Sequence, residues 1–146
     1  MKSDNEAILE AWLRLSLAVN NSKLVSDMPF NEARICNILY NNQMCNPERK
    51  LTATDLCKET KILKSQMNRT LNHMEAQGII KRSRSTSDRR QIWITLNAEH
   101  SRLYKLQHEK TLHFIDSIAE KIGRDKSNEI IQLFTLIADT AEEVLS

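Results

Sequence analysis

Glycine and proline, the residues that most readily interrupt a helix, occur only twice each in this 146-residue chain, as Pro29, Pro47, Gly78 and Gly123. A chain with so few breakers makes few tight turns and must spend most of its length in long helices. It is also long enough for one domain with a real core. The four breakers mark where segments change.

Ahead of Pro29, Ile8, Trp12, Leu15 and Val19 recur at helical spacing between about Glu6 and Leu24. Leu9, Leu13 and Leu17 thicken that stripe, so the first helix is expected to be buried on more than one side. Pro29 disfavours helix at Met28, and Asn31 resembles an N-cap for a second helix carrying Ile35, Ile38 and Leu39. The polar run "NNQMCNPERK" is expected to close it as a loop. Thr52 or Thr54 can cap a short third helix that buries Leu56. In the fourth, "ILKSQMNRTLNHMEAQG", Met67, Leu71 and Met74 fall on one face, and Gly78 suits a left-handed end. "IIKRSRS" and "QIWITLN" then alternate around "TSDRR", the pattern of a hairpin.

Asn97 can cap a long fifth helix through Leu103, Leu112 and Ile122, which Gly123 stops. Asp125 or Ser127 can start a last helix, where Ile130, Phe134, Ile137, Ala141 and Val144 form a coiled-coil-like seam. The expected fold is mainly α with a small β-hairpin, in the order α-α-α-α-β-β-α-α. One domain spans 1–146, with terminal helices at about 5–25 and 98–146 around a lobe at about 30–97. Both ends are apolar helices with no partner left in so small a chain, and they are expected to pair across a twofold axis. The alternative is that they fold over the chain's own core.

Net charge is only +2, but its distribution is uneven. From Leu51 to Asn97 nine Lys or Arg face four acids, while the remaining residues carry twelve bases against fifteen acids. A basic centre between acidic flanks fits one face meeting a polyanion. The N-terminal stretch, with Asp4, Glu6, Glu10 and Arg14, lacks the pattern of an export signal, and no apolar run could span a bilayer. Three cysteines without CxxC spacing fit reduced thiols, so a cytoplasmic protein is expected.

Two short helices followed by a basic hairpin describe a helix-turn-helix with a wing. A recognition helix must bury one face and offer the other to the major groove. Opposite Met67, Leu71 and Met74 lie Lys64, Ser65, Gln66, Asn68, Arg69 and Asn72. Asn and Gln suit adenine, Arg suits guanine, and Lys64 and Ser65 can hold phosphate. On the hairpin, Arg89 and Arg90 at the tip, with Arg82 and Arg84 along the incoming strand, suit a narrow minor groove. Asp88 is expected to pair with the Arg90 guanidinium and hold it in place.

From "LTATDLCKET" to "QIWITLN" the chain resembles the winged-helix core of the multiple antibiotic resistance regulator (MarR) family. "LNHMEAQGIIKR" is similar to its glycine-hydrophobic-x-x-arginine segment, and "DRRQIWITL" to its Asp-x-Arg wing and the strand that follows. The flanking helices fit too, so the resemblance covers nearly the whole chain. After the wing the family often has Leu-Thr and then a glycine, where this chain has Leu96 and Asn97. The resemblance implies a non-enzymatic, homodimeric regulator, expected to be a repressor, that binds a palindromic site in double-stranded DNA. It also implies Asp88 and Arg90 as orienting pair and minor-groove contact, and Asn68, Arg69 and Asn72 as groove-facing residues. Many members release DNA when a small aromatic acid or an oxidant binds, and no cofactor is expected.

Other readings of single features are weaker. Met67 and Met74 are core. Cys36 and Cys57 read as buried, and Cys45 lies in a polar loop without the cations that would activate it. The family's peroxide sensors carry their cysteine in the first helix, where this chain has none. His108 and His113 point about 140° apart on a helix, unlike a zinc pair at i, i+4, and His73 and His100 read as surface residues. A redox- or metal-responsive regulator and a protein-docking winged helix are the alternatives. An effector pocket is expected where the first two helices, the fifth helix and the winged lobe meet. Trp12 fits that pocket or a dimer core.

Overall fold

The computed structural model describes residues 1–21 and 28–146. Its elements are α1 (Asp4–Asn21), α2 (Phe30–Cys45), α3 (Ala53–Thr60), α4 (Lys64–Ala76), β1 (Ile80–Arg84), β2 (Ile92–Leu96), α5 (Ala98–Ile122) and α6 (Ser127–Leu145), with a 3-10 turn at Arg124–Lys126. This is the expected order. The first helix's expected end near Leu24, and the boundary near residue 25, lie outside the described residues. The chain forms two compact units, Met1–His108 and Glu109–Ser146.

In the first unit the core gathers around α2 and α4. Ile35, Cys36, Leu56, Met67, Leu71 and Met74 are fully buried, and Ile80, Ile94 and Leu96 cover them from the hairpin. Burying a side chain of this size stabilises by roughly 1.5–3 kcal/mol. The two strands pair antiparallel, from Ile80 opposite Leu96 to Arg84 opposite Ile92. Leu51 adds a bridge through its carbonyl, which accepts the Ile94 N–H at 2.8 Å.

Short-range chemistry sets the ends of the central helices. Thr52 and Asp55 form a reciprocal capping box at α3: the Asp55 N–H donates to Thr52 Oγ1 at 3.3 Å, and the Thr52 N–H to Asp55 Oδ2 at 2.9 Å. Thr52, not Thr54, is the cap. Lys61 ends α3 in the left-handed region, at φ +64°. At the other end of α4, Gly78 (φ +74°) donates to Glu75 and Ile79 to Met74. That 5→2 and 6→1 pair is a Schellman motif. Asn97 caps α5, its Oδ1 accepting the Glu99 N–H at 3.3 Å.

Helix α2 departs from expectation at both ends. It begins at Phe30, with Pro29 at φ −55° before it and no side-chain cap, so Asn31 is not the N-cap. A proline there fixes the entry to the helix without needing a donor. It also runs on through Cys45, so Asn41–Cys45, expected as loop, are helical. Burial of Leu39 and Tyr40 holds this turn, and Asn42 Nδ2 ties it to the Arg49 carbonyl at 2.7 Å. The helix stops at Asn46, which precedes Pro47 and takes φ −150°.

Helix α1 also differs: none of its residues is buried, and Trp12 is 67% exposed. In the second unit α6 likewise has no buried residue, and Phe134, Ile137 and Val144 of its seam are exposed. The turn into α6 uses Gly123 at φ +117°, where a Cβ would come 2.7 Å from Asp125 Oδ1. Arg124 steadies this turn through ion pairs to Asp116 and Glu120. Among the described residues no helix is long and apolar enough to cross a membrane.

Candidate nucleic-acid interface

The three apolar side chains that sink α4 into the core turn its remaining surface outward. Lys64, Ser65, Gln66, Asn68, Arg69 and Asn72 are all exposed. Leu63 precedes the helix and offers no side-chain cap, which leaves the first-turn N–H groups open beside Lys64 and Ser65. Positive partial charge gathers at such an end. The result is one polar ridge with donors at its leading turn.

The hairpin tip is built by hydrogen bonds rather than by glycine. Ser85 is buried, and its Oγ accepts the N–H groups of Ser87 and Asp88, each at 3.2 Å. The Ser85 N–H donates to the Gln91 carbonyl at 3.0 Å, and the Gln91 N–H to Asp88 at 3.0 Å. Arg84 Nη1 braces the turn at the Arg89 carbonyl, 3.2 Å away. Arg89 and Arg90 stand exposed at the tip, with no side-chain ion pair among the described residues.

Two expected roles change. The Asp88 carboxylate does not hold the Arg90 guanidinium; its Oδ1 accepts the Arg90 backbone N–H at 3.0 Å. Asp readily bonds the backbone two residues on, and that bond fixes the turn while leaving the guanidinium outside. Arg82 does not reach toward the tip. It is partly buried against α4, with Nη1 2.7 Å from Asn72 Oδ1 and 3.4 Å from Glu75 Oε1. The structure therefore separates Arg82 and Arg84, which brace the wing, from Arg89 and Arg90, which are available to a ligand.

Sequence reasoning missed two polar contacts in this lobe. One is the Ser85 hydroxyl, although the run Ser-x-Ser-Asp is a local turn signal. The other joins His73 on α4 to the buried Glu32 on α2, Nδ1 to Oε1 at 2.7 Å. No spacing rule could reveal that pair.

Burial, with the Glu32 carboxylate nearby, pushes the Cys36 thiol up to about 12. Cys57 is partly buried, while Cys45 is exposed at the end of α2 rather than in a loop. His100, expected at the surface, is partly buried, and that burial lowers its pKa. Among the described residues no three His, Cys, Asp or Glu side chains gather as a metal site. Near the expected effector region, the Tyr40 and Tyr104 rings lie 5.0 Å apart with His108 against both. Asn37 Nδ2 donates to the Tyr104 hydroxyl at 3.1 Å, and burial is the main cause that raises the Tyr104 pKa.

Residues 26–91 match the sequence model of the MarR family. An uncharacterized HTH-type transcriptional regulator of Bacillus subtilis (strain 168), YwhA, is 29% identical over 104 residues, which cover 71% of this chain and 70% of YwhA. The crystal structure of Streptococcus pneumoniae FabT in complex with DNA matches with a TM-score of 0.73 at 17% identity, covering 96% of each chain. That of NadR in complex with 4-hydroxyphenylacetate matches with a TM-score of 0.66 at 25% identity, covering 97% of this chain and 94% of NadR. The helix-turn-helix, strand β1 and the wing tip all fall within the stretch that matches the MarR family model, and over nearly its whole length the chain is similar in fold to FabT and NadR.

Proposed function

We propose that this regulator is a cytoplasmic homodimer that binds a palindromic site in double-stranded DNA and represses transcription from it. One observation carries the reading: the polar ridge of α4 and the unpaired Arg89 and Arg90 project from a single lobe in which Arg82 and Arg84 are engaged in bracing. The ridge, with Lys64, Ser65, Gln66, Asn68, Arg69 and Asn72, suits base edges and phosphates of the major groove. Arg89 and Arg90 suit the adjacent minor groove, where negative potential is focused. FabT, which shares the fold, has been crystallised with DNA.

The uncovered apolar faces of α1 and α6 support the dimer. Apolar stripes of that length are costly to leave in water and match a self-complementary twofold interface. Two recognition helices in such a dimer would sit about 34 Å apart, one turn of duplex. A small aromatic acid is the effector class this reading favours, since NadR is seen with 4-hydroxyphenylacetate. Such a ligand would release DNA only by binding one arrangement of the lobes better than the other.

Selection of bound sequences from random duplex DNA, with sizing of the complex, tests partner, symmetry and stoichiometry together. A palindromic consensus held by two copies is the expected result. A strictly monomeric particle, or no retention on duplex at low ionic strength, would overturn it. Retention of an acidic protein but not of DNA would favour a protein-docking wing.

A further inference from the structure

Resting on the DNA-binding reading above, we infer that Arg82 sets the base preference of Asn72, biasing it toward hydrogen-bond acceptors and so toward guanine rather than adenine. A free asparagine is ambivalent. Its amide offers one acceptor and two donors, which is why it pairs with adenine through N6 and N7 together. Here that symmetry is broken. A guanidinium only donates, so the atom of Asn72 that lies 2.7 Å from Arg82 Nη1 must be the amide oxygen.

Three consequences follow for the amide. Its oxygen is partly spent on Arg82, and a positive charge beside it repels an approaching N–H donor. The Nδ2 donors, which have no protein partner among the described residues, are left as the free end. Polarisation by the cation makes those N–H groups better donors, since linked hydrogen bonds strengthen one another. Asn72 is exposed, whereas Arg82 is partly buried between it and Glu75. Glu75 Oε1 accepts from the same guanidinium nitrogen at 3.4 Å, which keeps Arg82 turned toward the helix. The major-groove edge of guanine presents two acceptors, N7 and O6, whereas adenine replaces O6 with an N–H donor.

Arg82 is thus a positioning residue that acts through Asn72. Its effect should show in sequence preference rather than only in stability. The experiment is selection from random duplex DNA with the wild type, Asn72→Ala, Asn72→Asp and Arg82→Leu, followed by titration on duplexes that differ at one base pair. The base pair whose preference relaxes in Asn72→Ala is the one that Asn72 faces. At that position the wild type should prefer guanine over adenine by on the order of tenfold. Asn72→Asp keeps a bond to Arg82 but offers only acceptors, and should move the preference to cytosine, whose N4 donates. Arg82→Leu frees the amide oxygen and should move it to adenine.

A wild type that selects adenine there, or a consensus unchanged by Asn72→Ala, would overturn the inference while leaving DNA binding intact. The same holds if Asn72→Asp binds DNA with an unaltered guanine preference, a result available even if Arg82→Leu fails to fold. Absence of any wild-type retention on duplex would be seen before the variants are compared, and removes the DNA-binding reading itself.

Discussion

His73 Nδ1 lies 2.7 Å from Glu32 Oε1, joining the last turn of α4 to the first turn of α2 across 41 positions of sequence. The carboxylate end is buried, its side chain only 7% exposed, while the imidazole is 61% exposed. His73→Ala removes that hydrogen-bond partner from a buried acid, but water can reach part of the vacated place. The expected loss of stability is about 1 kcal/mol, the lower end of the cost of leaving a buried polar group without its partner. Urea unfolding measures it, and an unchanged midpoint would show that solvent replaces the imidazole without cost.

Cys36 sets a pH dependence with a definite sign. In the unfolded chain its thiol ionises near the ordinary value of 9.0, and in the fold near 12. Between those values the native state holds a proton that the unfolded state has lost, so stability falls as pH rises through that window. Below it the contribution is fully present. Cys36→Ala should remove this part of the slope, whatever it costs through the cavity. At pH 8 iodoacetamide should modify the exposed Cys45 and spare Cys36 until urea is added; equal labelling of the two in the native state would contradict the burial.

Removing the Ser85 hydroxyl tests whether the wing must be pre-shaped. Ser85→Ala leaves two tip N–H groups without their acceptor, so the tip should loosen and Arg89 and Arg90 lose their fixed approach. Affinity for DNA should fall severalfold with little change in the consensus, because freezing a mobile segment on binding costs free energy. Titration on the selected duplex and on a scrambled one reads the effect, and loss confined to one of them would place Ser85 in base reading instead.

The two kinds of arginine should separate by salt. Arg90→Ala should weaken binding to all duplexes and reduce the slope of log affinity against log salt by about 1. Arg69→Ala should cost roughly 1–3 kcal/mol on the preferred site and much less on random DNA. Equal losses on both DNAs for both variants would remove the division of labour.

Phe134→Glu places a charge on the exposed seam of α6. Burying that charge without a partner is unfavourable enough to oppose association. Sedimentation should show a shift from dimer to monomer, with DNA affinity lost in parallel. A variant that sediments like the wild type would put the contact between copies elsewhere.

Much of the lobe was legible because its signals are local. Met67, Leu71 and Met74 show their common face by spacing alone, and Gly78 and Asn97 mark helix ends by their conformational chemistry. The capping box at Thr52 and Asp55 is equally short-range. What escaped depends on tertiary placement. Asn41–Cys45 look like loop because asparagine is a poor helix former, yet burial one turn earlier and a bond to Arg49 hold them helical. Spacing put Asp88 next to Arg90 but could not say that the carboxylate would take the backbone N–H rather than the guanidinium. Arg82 and Asn72 lie ten positions apart, on different elements, and the tight joint at Gly78 brings them together.

The Schellman motif at Gly78 leaves only Gln77, Gly78 and Ile79 between α4 and β1, with two backbone hydrogen bonds closing that gap. Such a joint has almost no slack, and Arg82, the third residue of β1, clamps it again. Helix and wing therefore behave as a stiff two-pronged fork. Whatever pries this protein off its target must tilt the whole fork, since neither prong can withdraw while the other stays.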